Sequence, residues 1–161
     1  MKLTKKTLIL FCQAVLGLVA LLLLFAPAIT RKNSDVTYSG FQVMFGCQTE
    51  VFGSKVQVLD PTFAGILTFF IIVATIVLPL CIAFLKNKKV TFILSIVLIA
   101  ICAVGALFLF LGTTDLMLNP ATNGVSASDF NANLGVGFII DAILLLVIGA
   151  SQVLAPIFIK D

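Results

Sequence analysis

Asp141 is the residue of this chain best placed to do chemistry, because its carboxylate lies inside an apolar run of membrane length, residues 134–159. Gln152 follows eleven positions later, and at about 100° per residue this is within about 20° of three full helical turns. The two side chains therefore share one helix face. That face is expected to point away from lipid, since a charge near the bilayer centre costs about 2.5–3.5 kcal/mol.

Two interpretations of Asp141 stay open at this point. In the structural one, a neutral carboxyl donates a hydrogen bond to Thr68 or to a freed backbone carbonyl. Thr68 is the expected partner because both residues lie seven positions into their apolar runs, roughly 10 Å below the helix ends. In the functional one, Asp141 carries protons or a cationic substrate.

A second set of polar or helix-breaking residues lies six to eight positions from the opposite ends of the apolar runs. Because helices rise about 1.5 Å per residue, these residues are expected at nearly one depth. They either join the helices through hydrogen bonds, worth roughly 0.6 kcal/mol each on average, or line an inner vestibule. We expect the first. The set consists of Gln13, Pro79, Ser95 and Gln152.

Enzymatic chemistry has little support in the sequence. The chain contains no His, which removes the commonest general base and a common metal ligand. Its four cysteines form no C-x-x-C motif, and Cys47 stands alone in its loop, so thiol–disulfide chemistry between neighbouring outer cysteines is not expected. We therefore expect a non-enzymatic protein that needs no cofactor and no metal.

Composition indicates a membrane protein. The 161 residues are 61% apolar and 11% charged, whereas soluble domains are about 45–50% apolar and about 25% charged. The formal net charge of +3 comes from lysines and arginines at the ends of apolar runs. The expected partner is thus the lipid bilayer, and no nucleic-acid partner is expected.

Four spans follow from run lengths of about 20 residues. The alternative for the first run is a cleaved signal peptide, but its apolar core exceeds the usual length of about 7–15 residues. The turn at 86–89 is so short that the second and third spans must be antiparallel neighbours. The fold expected is a single all-α domain, an antiparallel four-helix transmembrane bundle, with spans at 8–29, 62–85, 90–112 and 134–159.

Basic residues predict the orientation. The positive-inside bias places both termini and the 86–89 turn in the cytoplasm and the loops 30–61 and 113–133 outside, in a multi-pass protein of the plasma membrane. One side holds Lys2, Lys5, Lys6, Lys86, Lys88, Lys89 and Lys160, and the other holds Arg31, Lys32 and Lys55.

The first outer loop shows strand signals between glycines, at residues 36–38, 41–45 and 56–58. We expect a small β-containing unit that caps the helix ends; the alternative is a partner surface carried by Tyr38, Phe41, Phe45 and Phe52. The second outer loop is rich in Asn, Ser, Ala and Gly, which predicts a mobile connection with a helical turn around Ser128.

Small residues recur every seven positions along the fourth span, at Gly135, Ala142, Gly149 and Pro156. Such a stripe lets a neighbouring backbone approach closely. Gly149→Leu is therefore expected to destabilise the bundle more than Val147→Leu.

Four spans, inward termini and a longer, β-prone first outer loop resemble the plan of claudin-like tetraspan proteins. The segment 39–46, Ser-Gly-Phe-Gln-Val-Met-Phe-Gly, is also similar to a motif of small bacterial four-span membrane proteins. The first likeness implies a tetraspan topology, and the second implies no activity.

Three classes of function remain. The first is a non-enzymatic membrane protein whose outer loops bind a partner or a second copy, as an interaction, assembly or cell-envelope accessory protein. The second is a small transporter or proton-coupled carrier that uses Asp141. The third is a membrane enzyme, for which the sequence offers no nucleophile–base pair and no phosphate-binding loop. We rank the first highest because the outer loops are long.

Overall fold

The structure is a computed structural model that describes residues 5–32, 36–85, 87–121 and 126–158, with side-chain positions for all of these except 5, 51 and 154–158. In this part of the chain, four helices are long and apolar enough to cross a membrane. In order, the elements are α1 (Lys5–Leu23), β1 (Pro27–Arg31), β2 (Thr37–Ser39), α2 (Gly40–Phe45), β3 (Cys47–Val51), β4 (Ser54–Asp60), α3 (Phe63–Phe84), α4 (Lys88–Phe110), β5 (Asn119–Pro120), α5 (Ala127–Phe130), β6 (Ala132–Leu134) and α6 (Val136–Phe158).

The first long helix is shorter than the predicted span of 8–29. α1 ends at Leu23, and the chain turns through Phe25 and Ala26 into β1, which begins at Pro27. Proline lacks an N–H and disfavours helical geometry in the residue before it, so the helix stops where the apolar run continues. The last apolar residues of the run, Ala28 and Ile29, are buried in a strand instead.

The four long helices form a ring in which each packs against two neighbours. α3 packs on α1 and α4, and α6 packs on α4 and α1. Neighbours run antiparallel: Phe11 near the start of α1 meets Phe84 at the end of α3, with ring centroids 6.4 Å apart. This is the antiparallel four-helix arrangement that the sequence predicts. Its fully buried side chains include Ile72, Leu98, Leu109, Phe138, Leu145 and Ile148.

The helices are apolar on their exposed sides as well as on their buried sides. Large side chains such as Leu22, Phe92 and Leu107 are exposed in the isolated chain. A helix that is hydrophobic all round is typical of a membrane span. The four helices are therefore compatible with a multi-pass membrane protein.

Both predicted outer loops contribute to the same two small sheets. One sheet has the order β2-β1-β6 and the other β3-β4-β5, so each joins two strands from between α1 and α3 to one from between α4 and α6. Ile29 pairs with Leu134, and Leu59 pairs with Pro120. We call these strands together with α2 and α5 the outer cap, after the predicted orientation; outer and inner below denote the bundle ends with and without this cap. The prediction of a β-containing first loop is confirmed.

The prediction that 41–45 is a strand is wrong, since Gly40–Phe45 is a short helix. Ser39 caps it: the Gln42 N–H donates to the Ser39 hydroxyl, and the Ser39 N–H donates to the Gln42 side chain. This capping box outweighs the apparent alternation. The strand signals at 37–38 and 56–58 are confirmed by β2 and β4.

The second outer loop is more structured than a mobile connection. It supplies β5, β6 and the helical turn α5, which includes Ser128 as predicted. The cap of this turn is Ser126, whose hydroxyl and N–H both donate to the Asp129 carboxylate. These hydrogen bonds lower the pKa of Asp129. Strand pairing with the first loop, which no local pattern reveals, is what orders the connection.

Candidate functional site

The inner half of the bundle contains a chain of polar contacts between α1 and α6. Gln152 Nε2 donates to Gln13 Oε1 at 2.9 Å, and Gln13 Nε2 donates to Ser151 Oγ at 2.6 Å. The Ser151 hydroxyl in turn donates to the Ile148 carbonyl at 2.8 Å. The prediction that Gln13 and Gln152 meet at one depth is confirmed, and both are buried. We call Gln13, Ser151 and Gln152 the glutamine network.

Ser95 and Pro79 do not join this network. The Ser95 hydroxyl donates to the Thr91 carbonyl of its own helix at 2.9 Å. Depth follows from the helical rise, but contact also requires the right helix face, and Ser95 is only half-buried. The sequence reasoning also missed Ser151, which was detectable as the hydroxyl residue beside Gln152.

We expect Gln13→Leu to lower the free energy of unfolding by about 1 kcal/mol, because two interhelical hydrogen bonds of roughly 0.6 kcal/mol each are lost. Ser95→Ala, which removes a bond within one helix, should change it little. Reversible unfolding in mixed micelles measures both. A double-mutant cycle of Gln13→Leu and Gln152→Leu should give a coupling energy of about 0.6 kcal/mol; strict additivity would contradict the network.

Asp141 lies in the outer half of the bundle and is wholly enclosed. Its exposed fraction is 0%, and neither carboxylate oxygen has a hydrogen-bond partner among the described residues. Buried polar side chains nearly always have a partner. The face prediction is confirmed, because Asp141 and Gln152 both point into the bundle.

The predicted hydrogen bond between Asp141 and Thr68 is wrong. The Thr68 hydroxyl donates to the Ala64 carbonyl at 2.7 Å and lies 3.9 Å from the Met117 sulfur. A buried threonine in a helix can satisfy its hydroxyl within its own backbone, so it does not need the Asp141 carboxyl as a partner. No hydrogen bond joins the two residues.

Two close helix contacts fix the depth of Asp141. One turn outward, Phe138 lies against Gly112: a Cβ placed on that glycine would be 2.6 Å from Phe138 Cδ2. One turn inward, Leu145 lies against Gly105 in the same way, at 2.9 Å from its Cδ1. Asp141 is thus held between an outer layer at Phe138 and an inner layer at Leu145.

The predicted partner surface divides into buried and exposed parts. Tyr38 is buried, with its ring centroid 5.7 Å from that of Phe130. Phe41 and Phe45 lie on α2 and pack on Phe69 of α3, at 5.8 and 5.1 Å. Phe41 and Phe45 thus help to hold the outer cap on the helices, as the capping interpretation expects, whereas Tyr38 packs within the cap.

Phe52 is different, because its side chain is 105% exposed and thus contributes no packing to the fold. It forms with Gly53 a two-residue turn between β3 and β4, in which both residues have positive φ, of 51° and 78°. Such turns favour Asn-Gly, and a bulky residue there is strained. β5 pairs with β4 only at Leu59 and Asp60, so the hairpin projects beyond its third strand.

No protein-family model matches the chain, and neither a curated protein nor a solved structure matches it. Function must therefore be argued from the geometry of Phe52, Asp141 and the glutamine network.

Proposed function

We propose that the chain is a four-span protein of the plasma membrane with both termini in the cytoplasm and the outer cap outside. Apolar surface on every side of the long helices supports insertion in lipid. The distribution of basic residues supports the orientation, since Lys88 and Lys89 lie at the opposite end of the bundle from Arg31 and Lys55 in the cap.

A membrane-impermeant maleimide tests this orientation. In intact cells Ser54→Cys, at the exposed start of β4, should react rapidly, and Lys88→Cys should react only after permeabilisation. Native Cys47 should react slowly, because burial raises the pKa of its thiol, an effect that a backbone hydrogen bond at Leu59 opposes. Cys12, Cys81 and Cys102 should stay unlabelled. Both engineered variants are made with Cys47→Ala, so that the native thiol adds no background. Labelling of Lys88→Cys in intact cells would contradict the proposed orientation and indicate the opposite one.

Within this topology, the function best supported is non-enzymatic: an interaction, assembly or envelope accessory protein that binds a partner, or a second copy, through the outer cap. The observation that carries this proposal is the complete exposure of the Phe52 side chain. An exposed aromatic side chain in a strained turn costs free energy that the fold does not recover. Aromatic anchors of this kind are typical of binding interfaces, where burying one side chain contributes much of the affinity.

A photoreactive phenylalanine analogue at position 52 tests the binding role in living cells. We expect a discrete adduct with one protein, either another protein or a second copy of this chain. The same analogue at Phe92, which is exposed on α4 near the cytoplasmic end, should give only lipid adducts. Equal and diffuse labelling at both positions would remove Phe52 as an anchor.

The second candidate is a small proton-coupled carrier that uses Asp141. The observation that favours it is the complete burial of a carboxylate without a partner, since intramembrane ionisable residues are commonly functional. Proton-driven flux of organic cations into proteoliposomes, wild type against Asp141→Asn, decides between the two. We expect no flux in either protein; a wild-type flux abolished by Asn would place the carrier first.

A further inference from the structure

Asp141 has no charged neighbour that could neutralise it within the described part of the chain. α3 contains no charged residue, and α6 contains no other through residue 158. On β1, Arg31 is exposed, and its guanidinium carbon lies 5.2 Å from the ring centroid of Phe130. The remaining charged residues of the packed helices lie at the opposite end of the bundle: Lys5 and Lys6 of α1, and Lys88 and Lys89 of α4.

Other titratable groups on these elements do not supply a partner either. Cys12 and Cys81 are exposed on the outside of the ring, and Cys102 is buried against Gly149, deeper than the Leu145 layer. In the cap, the Asp115 carboxylate accepts from the Ala127 N–H at 2.7 Å. An ionised Asp141 would thus be both buried and unpaired, which is strongly unfavourable. No described side chain supplies the neutralising charge, which a bound proton or cation would provide.

The surroundings of Asp141 suit a proton better than a metal ion. Calcium or magnesium would need about six oxygen ligands, whereas no other Asp or Glu joins Asp141 in a cluster of metal-binding side chains among the described residues. The adjacent turns of α6 present Phe138 and Leu145, both fully buried. A proton needs no further ligand and no additional space.

Along α6, Asp141 lies closer to the outer helix end than to the glutamine network. Asp141 lies five residues after the start of α6, or about 8 Å, and the one fully buried α6 side chain between them is Phe138. Inward, Leu145 and Ile148 are fully buried, and the glutamine network begins only at Ser151, about 15 Å away. Along α6, the inward route therefore passes two fully buried apolar side chains, and the outward route passes one. Met117 and Leu118, which follow α4 on the outer side, are fully buried there as well.

We propose that Asp141 is a proton-binding site open to the outer side, and that Phe138, packed on Gly112, is the lid over it. The inference rests on the proposed topology but not on the carrier function. Opening would require Phe138 to move away from Gly112 and water to pass the buried side chains of Met117 and Leu118, which lie on the same side. The glutamine network would meanwhile keep the inner ends of α1 and α6 joined, so that the opening is confined to the outer half.

Carbodiimides test the site, because they react with the acid form of a carboxyl. The acid adds its O–H across one C=N bond, and transfer of the acyl group to nitrogen leaves a stable N-acylurea. In intact cells, hydrophobic dicyclohexylcarbodiimide should modify wild-type Asp141 and not Asp141→Asn, as read by peptide mass. The labelling rate should fall as the external pH rises. Failure to modify wild-type Asp141, or a rate indifferent to external pH, would overturn the site.

The lid is tested with a water-soluble, membrane-impermeant carbodiimide. It should leave wild-type Asp141 unmodified and label Phe138→Ala from outside at least about tenfold faster, which corresponds to ~1.4 kcal/mol less opening free energy. Leu145→Ala, one turn inward, should not increase labelling; an equal increase in both variants would overturn Phe138 as the lid. Phe138→Leu gives the same test with a smaller change should the alanine variant not fold.

An error in the proposed orientation can be distinguished from an error in the proposed role of Phe138. Each variant is combined with Ser54→Cys and Cys47→Ala and labelled with the impermeant maleimide. If Ser54→Cys reacts and Phe138→Ala does not admit the soluble carbodiimide, the lid is wrong within a correct topology. If Ser54→Cys does not react, the orientation on which the lid depends is wrong.

Discussion

Replacing Gly17 by leucine is expected to lower the free energy of unfolding by about 3 kcal/mol or more, the upper range for overpacking a close contact. A Cβ at Gly17 would lie 2.6 Å from Thr75 Oγ1 and 3.1 Å from the Thr75 carbonyl carbon. The second atom belongs to the backbone and cannot move aside. Any side chain at position 17 must therefore push α1 away from α3.

Alanine at the same position separates packing from helix propensity. Gly→Ala in a helix normally stabilises by about 1 kcal/mol, and Gly149→Ala should show part of this gain. Gly149 lines a shallow groove between α4 and α6, and a Cβ there would lie 3.3 Å from the Cys102 Cβ. Gly17→Ala should instead destabilise. The two glycines are thus expected to give changes of opposite sign.

Unfolding in mixed micelles measures the free energy of unfolding of each variant. Val147→Leu is the control, because Val147 is 46% exposed. The expected order of destabilisation is Gly17→Leu, then Gly149→Leu, then Val147→Leu. A Gly17→Leu variant as stable as Val147→Leu would contradict the close approach of α1 and α3. Equal stabilities for Gly149→Leu and Val147→Leu would contradict the proposed role of the α6 stripe.

The long helices and their depths could be predicted because both follow from local regularities. The lengths of the apolar runs predict four helices, and the rise per residue predicts that Gln13 and Gln152 lie at one depth. Proline chemistry could also have shortened the first helix, since Pro27 lies inside the apolar run. Likewise, Ser39 and Gln42 form a capping box that was readable before the strand pattern of 41–45 was assigned.

The outer cap was less predictable because its pairing is nonlocal. β5 has two residues and β6 has three, too few for a periodic pattern, and they exist as strands only beside β4 and β1. The hydrogen-bond partners predicted for Thr68 and Ser95 inside the bundle were wrong for a related reason. The rise per residue predicts a depth for Thr68 and Ser95. Their hydroxyls donate to carbonyls of their own helices, and depth alone does not predict that partner.

Asp141→Leu is expected to raise the free energy of unfolding by about 1–3 kcal/mol, the cost commonly found for a buried polar group without a partner. This reverses the expectation for a carboxyl bonded to Thr68, where leucine would strand a partner. In the structure no described side chain pairs with Asp141, so leucine, which branches at the same carbon, strands nothing. Asp141→Asn keeps two polar atoms in the same place and should gain less than leucine.

Unfolding of wild type, Asp141→Leu and Asp141→Asn in the same micelles distinguishes the roles, with Thr68→Val as the matched control for loss of a polar group bonded within its own helix. A stability order of Leu above Asn above wild type means that the carboxyl costs the fold free energy. Such residues are typical of sites kept for function at the expense of stability, which would support proton binding beneath Phe138. If Asp141→Leu is instead less stable than wild type, the carboxyl has a partner in the membrane that stabilises the bundle, and its role is structural.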